Sequence, residues 1–340
     1  MNFASDNVGG ISPAILAAIE AANHGPARAY GDDAITARLE KLFSDLFEHE
    51  VAVFPVATGT AANSLALATL MPPWGAVFCH AAAHIAVDEA NAPEFYTGGG
   101  KLMPLAGSDG KVPLADLARL LPHGIGDVHH AQPAALSLTQ ATEAGTVYRP
   151  GEIEALAEIA HGHGVAVHMD GARFANAVAS LGLPPAALTW RAGVDVMSFG
   201  ATKNGAMAAE AVVYFDPGRA RDLPFRRKRA GHLFSKMRFL SAQLEAYLAD
   251  GLWLKNASHA NRLAKRLGDG LAAVPGARLR HPVEANEIFA ELPEPMIAGL
   301  ESRGFVFYRW EGHCIRLVTG FDTAPESIEA FLDAARALAS

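Results

Sequence analysis

Cysteine is nearly absent from this sequence. The 340 residues include two cysteines, too few for a disulfide framework or a zinc cluster. The histidine pairs His129/His130 and His161/His163 lack the cysteine or carboxylate spacing of a metal site. We therefore expect a protein of a reducing compartment that binds no metal.

Long apolar runs and an excess of positive charge are also absent. No apolar run reaches the length of a membrane-spanning helix, and MNFASDNVGG at the amino terminus resembles no secretory signal. Acidic residues outnumber basic residues by 36 to 28, a formal net charge of −8, which does not favour nucleic-acid binding. We expect a cytoplasmic protein that binds neither membranes nor nucleic acid.

The hydrophobic content is 50% of 340 residues, enough for a large core and two domains. From about residue 51 to 215, short apolar runs alternate with helical patterns, which is typical of a mainly parallel α/β sheet with helices on both faces. The missing G-x-G-x-x-G argues against a dinucleotide-binding fold. We predict an arm (1–12), a large domain (13–245) and a small carboxy-terminal α+β domain (246–340).

Two apolar runs are predicted to deliver opposite charges to one crevice. Val165–Met169 leads to Asp170, and Val194–Phe199 is followed by Lys203. Ligands of open α/β sheets bind beyond the carboxyl ends of strands. A lysine that forms a Schiff base and an aspartate that keeps a pyridine nitrogen protonated are the pair that pyridoxal phosphate chemistry requires. Taken singly, the two residues are more simply interpreted as a solvated turn acid and a surface lysine.

A strand-to-helix junction and a basic run are candidate anion sites. Thr58, Gly59 and Thr60 lie where a short strand gives way to an Ala/Leu-rich helix, and the positive end of a helix suits a phosphate. A simple threonine N-cap with a glycine turn is the alternative. The run from Arg226 to Arg229 fits either a phosphate or carboxylate contact or a solvated face.

Several of these segments together resemble the low-specificity L-threonine aldolases. They are SDN (5–7), YGDD (30–33), TGTAAN (58–63), HMDGAR (168–173), SFGATKNG (198–205) and IRLVTGFDT (315–323). Their order and spacing match over nearly the whole chain. The resemblance implies a pyridoxal 5'-phosphate enzyme of the aspartate-aminotransferase-like fold (fold type I). It also implies a mainly parallel α/β sheet covered on both faces, with a smaller carboxy-terminal α+β domain.

The resemblance assigns the cofactor contacts. It implies that Lys203 forms the Schiff base and that Asp170 binds the pyridinium nitrogen. Gly59 and Thr60 would hold the phosphate, with Asn63 close behind.

The same resemblance assigns the substrate contacts. His84 would stack on the ring, and Arg173 would lie near both the ring phenolate and the substrate carboxylate, which Ser5 and Arg316 would also hold. Many relatives have a histidine in the strand-end segment LSLTQATEAG, where this chain has Gln140 or Thr142. We expect Gln140 to contact the substrate, although glutamine cannot act as a base.

The resemblance further implies a homotetramer, a dimer of dimers with active sites at the dimer interface. Lys228 would reach the cofactor phosphate of a neighbouring subunit, and Tyr30 would cross the same interface to the substrate. The segment AGHLFSKMRF after the basic run departs from the glycine-rich form common in the family.

The expected reaction is retro-aldol cleavage of L-threonine, L-allo-threonine and phenylserine-type amino acids to glycine and an aldehyde. This reaction needs a base near the β-hydroxyl, and His84 is the candidate, directly or through water. A pure stacking role for His84 is the alternative. Two other hypotheses remain, a β-eliminating lyase or racemase and a non-catalytic oligomeric scaffold that binds the cofactor.

Overall fold

In the residues that the computed structural model describes, 1–339, a seven-stranded sheet forms the centre of the larger unit. Its strands are β1 (Ala52–Val56), β2 (Gly75–His80), β3 (Lys101–Leu105), β4 (Gln132–Thr139), β5 (Ala166–Gly171), β6 (Val196–Gly200) and β7 (Glu210–Tyr214). Their spatial order is β1-β7-β6-β5-β4-β2-β3. The pairs that involve β7 are antiparallel and the others are parallel. The predicted α/β class with a mainly parallel sheet is therefore confirmed.

The smaller unit is built on an antiparallel sheet. Its strands are β8 (Arg278–Leu279), β9 (Glu287–Glu291), β10 (Tyr308–Arg309) and β11 (Cys314–Val318), in the order β10-β11-β9-β8. The predicted small α+β unit at the carboxy-terminal end of the chain is therefore also confirmed.

Helices flank both sheets. They are α1 (Pro13–Ala22), α2 (Ala34–Phe47), α3 (Gly59–Leu70), α4 (His84–Val87), α5 (Ala92–Thr97), α6 (Leu114–Leu120), α7 (Pro150–Gly162), α8 (Phe174–Leu181), α9 (Leu223–Arg229), α10 (Arg238–Leu248), α11 (Leu252–Ala272), α12 (Glu294–Ser302) and α13 (Pro325–Ala339). Between Met1 and Ala339, no helix combines the length and apolar character needed to cross a bilayer.

Two hydrophobic cores meet along α11. Phe47, Phe174 and Phe199 pack in the larger core with ring centroids 6.3 Å apart in each pair. Helix α11 contributes Trp253 to this core and Leu267 to the core of the smaller unit. One continuous helix therefore links the two units, and the predicted domain limits at 12/13 and 245/246 remain predictions.

The amino-terminal arm attaches to the smaller unit. The backbone N–H of Phe3 donates to the Val306 carbonyl (2.7 Å), and the N–H of Val318 donates to the Phe3 carbonyl (2.8 Å). The Phe3 side chain is buried in the smaller core. These contacts fix the start of the chain and so bring Asp6 and Asn7 to the junction of the two units.

Candidate active site

A cavity of about 260 Å³ lies beyond the carboxyl ends of the parallel strands. Strand β5 ends beside it, and Lys203 follows β6 on the short helical turn Thr202–Asn204. This is where an open α/β sheet binds its ligands. The cavity brings together six of the residues predicted from the sequence: Gly59, Thr60, Asn63, His84, Asp170 and Lys203.

Asp170 presents a buried carboxylate to this cavity, with 4% of the residue exposed. Its Oδ1 accepts a hydrogen bond from the backbone N–H of Ala172 (3.0 Å), and its Oδ2 accepts one from the side-chain amide of Asn63 (2.9 Å). Both oxygens are thus held in place by donors, while the carboxylate still reaches the cavity. A fixed negative charge of this kind is what a protonated ring nitrogen requires.

Glu89 connects Asn63 to His84, a link that the sequence did not predict. The fully buried Glu89 Oε1 accepts a hydrogen bond from Asn63 Nδ2 (2.8 Å) and lies 2.8 Å from His84 Nδ1. The hydrogen bond to Glu89 raises the pKa of the His84 imidazole above its ordinary value. Asp170, Asn63, Glu89 and His84 therefore form one chain of polar contacts along the cavity wall.

The predicted phosphate site is the amino-terminal end of α3. The Thr58 hydroxyl accepts a hydrogen bond from the N–H of Ala61 (3.2 Å), so Thr58 is the N-cap, an interaction worth about 1 kcal/mol. Within residues 1–339, apart from its two chain neighbours and the backbone of its own helix, no heavy atom lies within 4 Å of a Cβ built on Gly59. The first N–H groups of a helix have no partner inside it, and Gly59 leaves open space beside them. The N-cap and the anion site therefore coexist here.

Glu210 is a second acid that the sequence did not reveal. It lines the cavity at the start of β7 and accepts hydrogen bonds from the backbone N–H groups of Ala201 (3.1 Å) and Thr202 (3.4 Å). These bonds hold the turn that carries Lys203. Burial raises the pKa of the Glu210 carboxyl to about 7, although the hydrogen bonds from Thr202 and Ala201 and the charge of Lys203 oppose this shift.

The two arginines of the predicted carboxylate clamp are joined by Glu287. Arg173 is buried and donates from Nε and Nη2 to the Asp6 carboxylate at 2.8 and 3.1 Å, while its Nη1 lies 3.2 Å from Glu287 Oε2. Arg316 Nη1 lies 4.0 Å from Glu287 Oε1, and its guanidinium carbon lies 4.9 Å from the centroid of the Tyr308 ring. Arg173 is thus occupied by carboxylates of the chain itself, whereas Arg316 Nη2 donates to the Ala4 carbonyl (3.3 Å). Within residues 1–339, neither arginine lines the cavity that contains Lys203.

Ser5 and Gln140 occupy other places than the main cavity. The Ser5 hydroxyl accepts a hydrogen bond from the Asn7 N–H (3.1 Å), and Ser5 lines a separate cleft between the arm and the smaller unit. Gln140 is fully buried, and its amide donates to the Tyr148 carbonyl (2.8 Å) and accepts from the Tyr148 N–H (2.9 Å). Both ends of the Gln140 side chain thus fix the loop after β4, and its contact with the substrate stays a prediction.

Lys228 and Tyr30 lie together, away from the main cavity of their own chain. The Lys228 Nζ is 4.6 Å from the centroid of the Tyr30 ring, and both residues line an open surface depression of about 640 Å³. Within the part of the chain that the structure describes, neither lines the cavity that contains Lys203. A role for either one at an active site therefore requires a second subunit.

The cavity fits pyridoxal phosphate. Lys203 offers an amine for the aldehyde, Asp170 a carboxylate for the ring nitrogen, and α3 an open helix end for the phosphate. Among residues 1–339, the buried atoms Asn63 Oδ1 and Glu89 Oε2 have no hydrogen-bond partner. Buried polar atoms usually have partners, so two unpaired ones at the wall of this cavity indicate that it is built around a polar ligand.

Comparison with known proteins identifies the family. The sequence matches the Beta-eliminating lyase family over residues 2–294. It is 45% identical to the low specificity L-threonine aldolase of a Pseudomonas species, covering 99% of this chain and 98% of that protein. It is 47% identical to the protein of the same name from Pseudomonas aeruginosa, covering 96% and 94%.

A solved structure agrees with these matches. The threonine aldolase of Leishmania major superposes with a TM-score of 0.93 at 29% identity, covering 100% of this chain and 99% of that one. The family, the fold type and the cofactor that the sequence predicted are thereby confirmed. The chain belongs to the beta-eliminating lyase family and, within it, to the low-specificity L-threonine aldolases, which depend on pyridoxal phosphate.

Proposed function

We propose that the residues of the 260 Å³ cavity make this L-threonine aldolase cleave L-threonine, L-allo-threonine and phenylserine-type amino acids to glycine and an aldehyde. The chain is a carbon–carbon lyase by its family. When bound, pyridoxal phosphate accepts the electron pair that is released as a bond at Cα breaks. The main support for this proposal is that Lys203 and Asp170 line the same cavity.

Lys203 and Asp170 have different roles at the cofactor. Lys203 supplies the amine that holds the cofactor, and Glu210 fixes its turn through the Ala201 and Thr202 amides. Asp170 holds a proton on the ring nitrogen, and its orientation is set before any ligand arrives because Ala172 and Asn63 already bind its two oxygens. Charge that is preorganised in this way stabilises the transition state without reorganisation.

Arg316 is proposed to determine which bond at the substrate Cα breaks, because it holds the substrate carboxylate. A carboxylate held by a guanidinium cannot rotate freely, and this restraint leaves the Cα–Cβ bond in the position for cleavage. A held carboxylate is also not released, which disfavours decarboxylation. Arg173 is already paired with Asp6 and Glu287, so we place it behind Arg316, as a support for this site.

His84 is proposed to accept the β-hydroxyl proton. Its Nδ1 is bonded to Glu89, so Nε2 is the ring nitrogen that remains to take the proton, directly or through a water molecule. The negative charge of Glu89 would stabilise the imidazolium that results. If His84 only stacks on the ring, it lies in the same position, but kcat/KM does not then depend on the protonation of its imidazole.

We propose that the active protein is a cytoplasmic homotetramer, a dimer of dimers. Large aromatic side chains are exposed on the single chain, among them Trp74 (67%), Phe95 (77%) and Phe225 (78%), and each is a candidate for a contact between subunits. Lys228 and Tyr30 also need a neighbouring cavity if they are to contact a cofactor or substrate.

Product analysis tests the proposed reaction. The holoenzyme is incubated with L-threonine, L-allo-threonine, their D-isomers and phenylserine, and glycine, aldehyde, ammonia and keto acid are measured. We expect glycine and aldehyde in equal amounts from the L-isomers and from phenylserine, and no reaction of the D-isomers. Ammonia and a keto acid without glycine would instead identify a β-eliminating lyase. Interconversion of the isomers would identify a racemase, and a complete lack of turnover would identify a scaffold.

The matched variants are Lys203→Ala and Lys255→Ala. Lys255 is an exposed residue of α11 and serves as the control. We expect the Lys203 variant to form no glycine and the Lys255 variant to form it at the wild-type rate. Glycine formation at a normal rate by Lys203→Ala would contradict the assignment.

A further inference from the structure

Glu287 is a buried carboxylate without a hydrogen bond. It begins β9 and is 1% exposed. Within residues 1–339, neither Oε1 nor Oε2 has a hydrogen-bond partner, although Arg173 Nη1 lies 3.2 Å from Oε2 and Arg316 Nη1 lies 4.0 Å from Oε1. The carboxylate is therefore held by charge alone, between the two arginines to which the sequence assigned the substrate carboxylate.

The strand register places Glu287 beside Arg316. Arg316 of β11 pairs with Phe289 of β9, and side chains alternate along a strand, so Glu287, two residues before Phe289, shares a face with Arg316. A Cβ on Gly145 would lie 2.7 Å from the Glu287 carbonyl oxygen. The loop after β4 therefore packs directly against this end of β9 and helps to bury the carboxylate.

Charged groups surround Glu287 on each element that packs against it. They are Asp6 of the arm, Glu143 of the loop after β4, Arg173 just before α8 and Arg316 of β11. Asp6 already binds Nε and Nη2 of Arg173. With Asp6, Glu143 and Glu287 all ionised, three carboxylates face two guanidiniums, and a substrate carboxylate at Arg316 adds a further negative charge.

An added charge in a buried site is costly unless another charge is removed. Of the two buried acids of this group, Glu287 makes fewer stabilising contacts, because Asp6 accepts hydrogen bonds from Arg173 and Asn286. Burial raises the pKa of the Glu287 carboxyl to about 7, although Arg173 and Arg316 oppose this shift. For Asp6, burial also raises the pKa, but the charges of Arg173 and Lys203 and the hydrogen bonds outweigh it and lower the value.

We propose that Glu287 takes up one proton from solvent when a substrate carboxylate binds Arg316. The inference rests on the proposed assignment of Arg316 to that carboxylate. The proton goes to one oxygen of Glu287, and no substrate bond is formed or broken. Glu287 is thus a positioning residue that acts through Arg316. Because binding takes up one proton, the dissociation constant of the substrate rises with pH, by up to about tenfold per pH unit.

The test uses 3-hydroxybutanoate, which has the carboxylate and β-hydroxyl of the substrate but no amine to react with the cofactor. Its binding to the holoenzyme is measured by calorimetry between about pH 6 and about pH 8.5, in two buffers of different ionisation enthalpy, which reports the protons taken up. We expect net proton uptake and a dissociation constant that rises about tenfold over this range.

Three variants isolate Glu287. In Glu287→Gln we expect no proton uptake, a dissociation constant independent of pH, and tighter binding than wild type at the alkaline end. Glu287→Asp should retain the uptake. Glu291→Gln is the matched control, because Glu291 lies on the same strand, pairs with the exposed Arg278, and should leave the binding curve unchanged.

Several results would overturn the proposal. They are wild-type binding without proton uptake, unchanged uptake in Glu287→Gln, and no binding of 3-hydroxybutanoate by a protein that does cleave L-threonine. The wild-type measurement needs no variant and decides the question even if Glu287→Gln fails to fold. Glycine formation from L-threonine is assayed separately, so the proposed function can stand while this inference fails.

Discussion

Asn63 donates a hydrogen bond of 2.9 Å to the Asp170 carboxylate, across 107 residues of sequence. The same amide nitrogen donates to Glu89, which in turn contacts His84. The acid predicted to hold the ring nitrogen is therefore fixed through the same residue that connects to the candidate base. Mutation of any one member is expected to disturb the others, so isosteric substitutions are suited to this group.

The charge of Asp170 is the first feature to test. Asp170→Asn keeps the size of the side chain but removes the negative charge that holds the ring nitrogen protonated. We expect kcat for L-threonine cleavage to fall on the order of a hundredfold or more, with an unchanged circular dichroism spectrum. Asp333→Asn, at an exposed position on α13, is the control. Near-normal turnover by Asp170→Asn would refute the role of this carboxylate.

The role of His84 can be separated from simple stacking by a pH profile. The hydrogen bond to Glu89 raises the pKa of His84, so Glu89→Gln should lower it. If neutral His84 accepts the β-hydroxyl proton, the acidic limb of kcat/KM against pH moves to lower pH in the variant. An acidic limb that stays in place would show that His84 serves only as a stacking ring.

Glu210 should make the apoprotein less stable as the pH rises from 4.5 to about 7. Its folded-state pKa of about 7 lies above the ordinary 4.5, so the folded state binds more protons between these values. Its contribution to stability is complete below the ordinary value and is lost as the pH rises through about 7.

Glu210→Gln removes this dependence. We expect the Tm of the variant minus the Tm of the wild type to become more positive from about pH 5 to about pH 8, because only the wild type loses stability over this range. Both values are measured by calorimetry of the apoproteins. The lost hydrogen-bond strength at Ala201 and Thr202 shifts both values equally and does not affect the comparison. A Tm difference that is the same at both pH values would contradict the raised pKa.

The exposed aromatic side chains predict a subunit interface. Phe225 is 78% exposed on the single chain. It is the third residue of α9, the helix that contains Lys228. We expect Phe225→Glu to reduce the molecular mass in analytical ultracentrifugation and to reduce activity with it, whereas Phe225→Tyr should leave both unchanged. A monomeric wild-type protein with full activity would contradict the proposed tetramer.

The sequence predicted the residues that follow strand ends. Asp170 and Lys203 were predictable because each follows a continuous apolar run, and in a parallel sheet such runs end at the same edge. Gly59 and Thr60 were predictable because a strand gives way there to a helical composition. These signals are local, and they depend on only a few neighbouring residues.

Residues that act through distant partners were not predictable in this way. Glu89 bonds to Asn63 26 residues away, and Asn286 reaches Asp6 across 280 residues. An acid within a strand or a short turn has no local pattern that reveals such a partner. Gln140 was assigned to the substrate because it lies in the segment where many relatives have a histidine, and in the structure Tyr148 takes up both ends of its side chain.

Lys203 is proposed to hold the cofactor in the cavity that contains Asp170, and borohydride reduction tests this assignment most directly. The holoenzyme is reduced, digested and mapped by mass spectrometry, with Lys203→Ala treated in parallel. We expect the reduced pyridoxyl phosphate on the peptide that contains Lys203, and no pyridoxyl peptide from the variant. Attachment to another lysine such as Lys228, or a pyridoxyl peptide that persists in Lys203→Ala, would refute the assignment of Lys203.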